Sequence, residues 1–413
     1  MEKHERDHMR IVIVGHVDHG KSTLIGRLFF DTDSLPEGRM EEVKKACEEL
    51  GRPVEFAYLM DQLEEEREQN VTIDTAQTFF KTDKRHYVII DAPGHVEFVK
   101  NMITGASQAE AAILIVDAEE GVQEQTKRHA YILSMLGLQQ VIVVLNKMDK
   151  VDYSEERFEA VRSDISSFLG RIGIEPSYII PISAMEGDNV ANVSDKMAWF
   201  DGPTILEALD TFKASPKDMS KPLRYPVQDI YKVGDKRVLV GRVESGIMKP
   251  GKEVMLLPSG KKTKVKSIEV FEGQKESAGP GECIGITIEH PLFVERGEIV
   301  CEGGSPLSSD TIKAHVFWMS KEPYTLGEEM LFRCATQEIG CKIESIDRKL
   351  DSSTLESKED SPANLSDMEI GEVTLKLKSP AVVENFNDIQ ELGRFVLTKG
   401  LDVSAGGIIS TRD

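Results

Sequence analysis

One loop constrains the fold of this chain more than any other stretch: GHVDHGKST, residues 15–23, which follows the apolar run RIVIV. The loop fits the pattern G-x-x-x-x-G-K-[S/T] and lies between a predicted buried strand and a predicted helix, STLIGRLFF. Glycines at both ends let successive backbone N–H groups point at phosphate oxygens, and the start of the helix adds its positive end. The loop therefore predicts a phosphate cradle.

The polar residues of this loop have separate predicted roles. Lys21 is expected to reach the β- and γ-phosphates of a nucleotide, and Ser22 to offer its hydroxyl to Mg²⁺. Gly15 and Gly20 permit the bend of the backbone. The other loop residues predicted to bind the nucleotide are Asp18, His19 and Thr23.

A second motif, DAPGH at residues 91–95, ends the apolar run HYVIID. We expect Asp91 to bind Mg²⁺ through water and the Gly94 N–H to contact the γ-phosphate. Water attack on that phosphate needs positioning more than covalent chemistry. His95, beside the predicted γ-phosphate contact, is therefore the candidate catalytic residue that orients the water.

A third motif, NKMD at residues 146–149, predicts the base. The Asp149 carboxylate can accept two hydrogen bonds from guanine N1 and N2, which adenine cannot supply. The Lys147 stem can lie over the base, and Asn146 helps to hold the loop and the base. Backbone N–H groups of SAM, which follows the apolar run YIIPI, can meet guanine O6; these residues are Ser183, Ala184 and Met185.

The first half of the chain alternates between apolar runs and helical patterns, which predicts a doubly wound α/β domain over residues 1–213. The phosphate and guanine motifs inside it indicate that this is a P-loop GTPase domain. Continuous Val/Ile character predicts buried strands at 10–15, 86–91, 111–117, 141–146 and 178–183. The intervening patterns predict helices, among them 98–111 and 153–173.

Beyond residue 213 the pattern changes to short strands at close spacing, separated by Gly, Pro and Ser turns. Such a pattern is typical of small all-β units. We expect one β-barrel over residues 214–305 and a second over 306–413. The stretch at 351–367 predicts a polar loop inside the second barrel.

Composition excludes some classes of function. The 413 residues carry a net charge of −21, and residues 214–305 alone are slightly basic, at net +2. Phosphate contacts need Lys and Arg, so the chain is a poor general polyanion binder; one cluster, KKTKVK, would place Lys262, Lys264 and Lys266 on one strand face. Five scattered cysteines and no apolar run of roughly 18 residues favour a cytoplasmic protein without a disulfide framework.

Together GHVDHGKST, EREQNVTID, DAPGH and NKMD resemble the motifs of the translational GTPase superfamily, which is elongation factor Tu/1-alpha-like. The resemblance extends over nearly the whole chain. It implies a nucleotide domain followed by two β-barrels, GTP hydrolysis, and Mg²⁺ held by Ser22 and Thr72. It further implies that Val17 and Val71 form an apolar gate beside His95.

Two branches of the superfamily remain open. The GTPase subunit of ATP sulfurylase (sulfate adenylyltransferase subunit 1) is favoured above all by PISAMEGDNVANVSDKMAWFDGPTILEALD. It is also favoured by STLIGRLFFDT, EREQ, KMDKVDYSEERF, LPSGKKTKV and HVFWMSKEPYTLGEE. That branch implies a separate catalytic small subunit and synthesis of adenosine 5′-phosphosulfate from ATP and sulfate. The alternative is an elongation factor that delivers aminoacyl-tRNA to the ribosome. The loop GHVDHG, with His16 and His19, has the elongation-factor form.

Overall fold

The computed structural model divides the chain into two compact units, residues 1–215 and 216–413. The structure describes residues 8–35, 76–91, 109–213, 219–234, 236–271, 273–290, 292–302, 306–360, 362–400 and 402–410. Four predicted site residues lie outside these ranges: Val71, Thr72, Gly94 and His95. Most of the helix predicted at 98–111 lies outside them as well.

The first unit is built on a six-stranded sheet with the order β2-β3-β1-β4-β5-β6. All neighbouring strands are parallel except β2, which runs antiparallel at one edge. The strands are β1 (His8–Gly15), β2 (Ala76–Lys81), β3 (His86–Asp91), β4 (Ala111–Asp117), β5 (Val141–Asn146) and β6 (Tyr178–Pro181). Every residue of β4 and β5 is buried, as expected of strands covered on both faces.

Four α-helices complete the described part of this unit: α1 (Lys21–Asp31), α2 (Glu124–Met135), α3 (Glu155–Arg171) and α4 (Ile205–Thr211). Short 3₁₀ turns span Met148–Val151 and Asp195–Met197. Side-chain hydrogen bonds mark the starts of α3 and α4. The Ser154 side chain accepts a hydrogen bond from Arg157 N and begins α3, and Thr204 forms a capping box with Glu207 at α4.

The register of the sheet brings the predicted motifs to one edge. Asp91 at the end of β3 lies opposite Ile13 of β1, and Asp117 at the end of β4 lies opposite Asn146 at the end of β5. In open parallel sheets the carboxyl ends of strands are where ligands bind. The candidate site therefore lies along this edge.

The second unit contains two closed barrels, and the first closes through β10-β12-β8-β7-β13-β9 and back to β10. Closure leaves no exposed strand edge in this ring. Its strands are β7 (Arg224–Val233), β8 (Lys236–Arg242), β9 (Glu253–Leu257), β10 (Lys261–Val270), β12 (Cys283–Ile288) and β13 (Ile299–Cys301), with β11 (Gly273–Lys275) added beside β10.

The second barrel closes through β16-β21-β22-β14-β20-β17 and back to β16. Its ring consists of β14 (Leu307–Trp318), β16 (Met330–Cys334), β17 (Gln337–Asp351), β20 (Glu369–Val383), β21 (Arg394–Lys399) and β22 (Asp402–Ile409). Outside the ring are β15 (Tyr324–Thr325), β18 (Ser357–Asp360), β19 (Asn364–Leu365) and a short helix, α5 (Gln390–Gly393). The predicted architecture, a P-loop GTPase domain followed by two β-barrels, is confirmed.

The polar loop predicted at 351–367 is wrong in part, because it contains β18 and β19. The Asp351 carboxylate accepts hydrogen bonds from Ser353 N at 2.8 Å and Thr354 N at 3.2 Å, which closes a turn. The chain then pairs back on β17 as β18. Polar side chains are normal on such an edge strand, so composition alone did not reveal it.

The strand predicted at 10–15 begins two residues earlier, at His8. The strand predicted at 178–183 ends at Pro181, and the edge strand β2 had no predicted counterpart. No helix in the ranges that the structure describes is long and apolar enough to cross a membrane.

Candidate nucleotide-binding site

Two glycines shape the phosphate loop between β1 and α1. Gly20, directly before α1, has φ +90°, and a Cβ there would lie 2.4 Å from Asn146 Nδ2. A Cβ on Gly15 would lie 2.5 Å from the backbone and side chain of Ile115. Gly15 therefore allows β4 to pass close to the loop. Gly20 allows both the left-handed turn and the contact with Asn146 of the NKMD loop.

The ammonium group of Lys21 is held inside this loop. Lys21 is buried, and its Nζ donates to Gly15 O at 3.0 Å and to His16 O at 2.9 Å. Burial lowers the pKa of Lys21 to about 8, while the charges of Asp91 and Asp18 act in the opposite direction. The loop thus encloses a cation at the position predicted for the phosphates.

The remaining predicted phosphate-side residues lie around this cation. Asp91 is buried at the end of β3, whereas Ser22 and Thr23 are half-buried in the first turn of α1. Asp18 is exposed in the loop, with φ +62°, and Val17 is half-buried.

A single amide connects the phosphate loop to the base loops. Asn146 Nδ2 donates to His19 O at 2.9 Å, and Asn146 Oδ1 accepts from Ala184 N at 2.9 Å. Asn146 is only 2% exposed. The predicted role of Asn146 in holding the loop agrees with these contacts, and the structure extends that role to the phosphate loop.

The base-recognition carboxylate is held by the neighbouring loop. Ser183 Oγ donates to Asp149 Oδ1 at 2.6 Å, and Met148 N donates to Ile182 O at 3.1 Å. Ser183 and Ala184 are buried, whereas Met185 is 44% exposed. The NKMD and SAM segments are therefore adjacent, as guanine recognition requires of them.

Lys147 and Asp117 form an ion pair that the sequence interpretation missed. Lys147 has a left-handed backbone, with φ +62°, and its Nζ lies 2.7 Å from Asp117 Oδ2. Asp117 is 1% exposed. A signal was present, since Asp117 ends the predicted buried strand AAILIVD at the same edge as NKMD, but no motif singled it out.

The His19 side chain faces the protein rather than the loop's open side. Its ring is fully buried, its Nδ1 accepts from Asp117 N at 3.2 Å, and its Nε2 lies 3.4 Å from Glu120 Oε2. Burial lowers its pKa to about 4, and the nearby His16 adds to this effect. The neutral His19 imidazole therefore stabilises the phosphate loop from its buried side.

A second network braces the base loops. The Asp188 carboxylate accepts from Tyr153 OH at 2.9 Å, from Ser194 Oγ at 2.7 Å and from Lys196 Nζ at 3.1 Å. Trp199 Nε1 also donates to Tyr153 O at 3.1 Å. These residues belong to two of the stretches that had favoured the sulfurylase branch, and their contacts join the segments after NKMD and SAM.

The fold and this edge define a P-loop GTPase domain. Three family profiles match the chain in order: "Elongation factor Tu GTP binding domain" over residues 6–215, "Elongation factor Tu domain 2" over 236–301, and "GTP-eEF1A C-terminal domain-like" over 311–410. The chain belongs to the elongation factor Tu/1-alpha family of translational GTPases.

Full-length relatives correct the predicted branch. A protein named "Elongation factor 1-alpha" from Archaeoglobus fulgidus is 41% identical over 98% of both chains, and one of that name from Methanopyrus kandleri is 42% identical over 97% of both. A solved structure titled "Crystal Structure Analysis of sup35 complexed with GDP" has a TM-score of 0.46 at 24% identity, covering 99% of this chain and 95% of that one.

The predicted sulfurylase subunit is therefore wrong, and the catalytic small subunit predicted as its partner loses its support. Two of the stretches on which the prediction rested join the loops after NKMD and SAM through Tyr153, Asp188 and Lys196. Such bracing serves base binding and carries no information about the downstream partner.

Proposed function

We propose that this chain is an elongation factor of the 1-alpha type, which delivers aminoacyl-tRNA to the ribosome and uses GTP as its timer. The observation that carries this proposal is similarity to proteins of that name over 97–99% of this chain, covering the GTPase domain and both barrels. A protein with this task works where ribosomes do, in the cytoplasm.

The residues at the phosphate edge suit GTP with Mg²⁺. Mg²⁺ prefers oxygen ligands, which the Ser22 hydroxyl and the Asp91 carboxylate supply, and Thr72 is proposed as the third. When bound, the ion neutralises charge on the β- and γ-phosphates. Lys21, held by two backbone carbonyls, contributes a fixed positive charge to the same end of the nucleotide.

Hydrolysis is proposed to depend on residues that follow β3. Gly94 would sense the γ-phosphate through its N–H, and His95 would orient the attacking water. Val17 and Val71 would form the apolar gate beside His95. Opening of such a gate only on the ribosome would make hydrolysis a signal that the tRNA has been delivered.

The first barrel is proposed to contribute to tRNA binding. On β10, Thr263 and Val265 are buried, so Lys262, Lys264 and Lys266 share the outward face. Lys264 lies 3.4 Å from Glu253, whereas Lys262 and Lys266 are exposed. Phosphate contacts of this kind weaken as salt concentration rises.

The deciding experiment measures spontaneous hydrolysis of the aminoacyl ester of aminoacyl-tRNA. The protein with a non-hydrolysable GTP analogue should slow deacylation, and the protein with GDP should not. Equal deacylation with and without the protein in the GTP form would overturn the proposal. Equal protection by the GDP form would show that binding of aminoacyl-tRNA does not depend on GTP.

A further inference from the structure

The pair of Asp117 and Lys147 joins the ends of two neighbouring strands. Asp117 is the last residue of β4, and it lies opposite Asn146, the last residue of β5, directly before Lys147. Asp117 Oδ2 lies 2.7 Å from Lys147 Nζ. Asp117 Oδ1 accepts from Glu119 N at 2.7 Å and Glu120 N at 3.3 Å, so the carboxylate is held from both sides.

A second pair connects the same two loops and provides a natural comparison. Glu119 and Lys150 lie 4.0 Å apart with side chains 57% and 51% exposed. In the first pair, Asp117 is 1% exposed and Lys147 is 21% exposed. Exposed pairs of this kind contribute little, whereas the loss of one partner from a buried pair is costly.

We propose that Asp117 is a positioning residue for the guanine base, because it anchors the Lys147 ammonium so that the aliphatic stem of Lys147 forms one wall of the base pocket. The inference rests on the proposed binding of guanine nucleotides at this edge. Asp117 itself is not proposed to contact the nucleotide. Its effect passes through Lys147 alone.

The backbone of Lys147 shows why an anchor is needed. At φ +62° and ψ +37° the residue is in the left-handed region, which directs its side chain away from the course that a helical or extended residue would give it. A lysine stem has high conformational freedom, and an ion pair at its end removes that freedom before the base arrives. Preorganisation of this kind acts mainly on the dissociation rate.

The test compares dissociation of mant-GDP, a fluorescent GDP analogue, from the full-length protein and from Asp117→Asn. Asparagine keeps an acceptor for Glu119 N and Glu120 N, while its amide nitrogen replaces the charged oxygen that faces Lys147. Dissociation should become at least about tenfold faster. In Glu119→Gln, the matched control for the exposed pair, it should change by less than about twofold.

Two further measurements separate positioning from general damage. The affinity for inorganic tripolyphosphate, which has no base, should be unchanged in Asp117→Asn once its inhibition constant is corrected for the weaker binding of mant-GDP. In a Lys147→Met background, where no ammonium needs an anchor, Asp117→Asn should have less than about twofold effect. This background also removes the unpaired charge and so allows the variant to fold.

Three outcomes would overturn the inference: dissociation from Asp117→Asn no faster than from Glu119→Gln, an equal loss of tripolyphosphate binding, or an undiminished effect in the Lys147→Met background. Failure of the proposed function is recognised separately. It would appear as no saturable mant-GDP binding by the unsubstituted protein.

Discussion

The Asn146 side-chain amide nitrogen lies 2.9 Å from the main-chain oxygen of His19 and thereby joins the loop for the base to the loop for the phosphates. The same side chain accepts a hydrogen bond from Ala184 N through its oxygen. Three segments that are distant in sequence, at residues 19, 146 and 184, therefore depend on one buried amide. A change at Asn146 is therefore expected to affect binding of both the base and the phosphates.

Replacement of Asn146 by alanine should weaken both GDP and GTP binding. His19 O and Ala184 N would lose their partners in a buried region, and each unsatisfied group costs about 1–3 kcal/mol. We expect affinity for both nucleotides to fall by at least about tenfold, measured by titration with mant-GDP and mant-GTP.

Gln140→Ala is the matched control for this prediction. Gln140 also makes two backbone hydrogen bonds, both to Lys213, at 2.7 and 2.8 Å, but they are exposed. Its loss should leave nucleotide affinity unchanged. Equal affinities of Asn146→Ala and the unsubstituted protein would contradict the importance of the connection.

The second prediction concerns Gly20. Alanine at this position would combine a left-handed φ of +90° with a Cβ only 2.4 Å from Asn146 Nδ2, so the amide would have to move. Gly20→Ala should therefore abolish measurable mant-GDP binding. Gly173→Ala has a similar φ, +73°, but no atom of the described part of the chain lies within 4 Å of the new Cβ. It should cost about 1 kcal/mol of stability and leave binding intact. If both variants bind alike, crowding at Gly20 is not the cause.

The third prediction concerns choice of base at Asp149. The carboxylate is oriented by Ser183 Oγ at 2.6 Å. Asp149→Asn replaces an acceptor by a donor, and xanthine offers an acceptor where guanine offers its N2 amino group. Competition binding should show a loss of GDP affinity and a gain for xanthosine diphosphate. Retained preference for GDP would exclude Asp149 from base recognition.

Three strands of the first unit were predicted from the sequence with the correct bounds, and one strand was missed. The strands at 86–91, 111–117 and 141–146 were predicted to the residue, because each is a continuous apolar run that ends at Asp or Asn. The strand Ala76–Lys81, which lies at the edge of the sheet in the described ranges, was missed, since it mixes polar with aromatic residues.

At the candidate site, motif spacing singled out Lys21 and Asn146, because loops that bind phosphate or guanine need particular residue types at fixed intervals. Asp117 follows no motif. Its role depends on the register between β4 and β5 and on the left-handed turn at Lys147, neither of which composition reveals. The branch prediction failed because stretches such as those around Tyr153 and Asp188 make contacts inside the first unit, and contacts of that kind do not identify a partner.

The fourth prediction concerns acid stability of the first unit. His129 on α2 is fully buried, neither ring nitrogen has a hydrogen-bond partner among the residues that the structure describes, and burial lowers its pKa to about 3. The unfolded chain binds a proton on this residue below about pH 6.5, and the native protein does not. The free energy of unfolding should therefore fall by up to about 1.4 kcal/mol per pH unit between pH 6.5 and the native pKa.

His129→Gln should flatten this dependence by about one proton, as measured by calorimetry between pH 5 and 8. His290→Gln, which changes an exposed histidine, should leave the slope as it is. An unaltered slope in His129→Gln would mean that another buried group, such as His19, is responsible for the acid sensitivity.

The last prediction concerns attachment of the two barrels to each other. Arg224 on β7 of the first barrel is 2% exposed, and its Nε lies 2.6 Å from Glu384 Oε1, just after β20 of the second. Glu384→Gln removes the carboxylate charge, while Arg224 keeps its hydrogen bonds to Leu223 O and Glu302 O, and should cost about 1.5–3 kcal/mol of stability. Glu329→Gln removes the exposed Lys378–Glu329 pair, 2.9 Å long, and should cost less than about 1 kcal/mol. Urea unfolding followed through Trp318, which is buried in the second barrel, measures both variants. Equal midpoints would show that apolar contacts of Leu257, Ile299 and Cys301 with the core of the second barrel suffice to join the barrels.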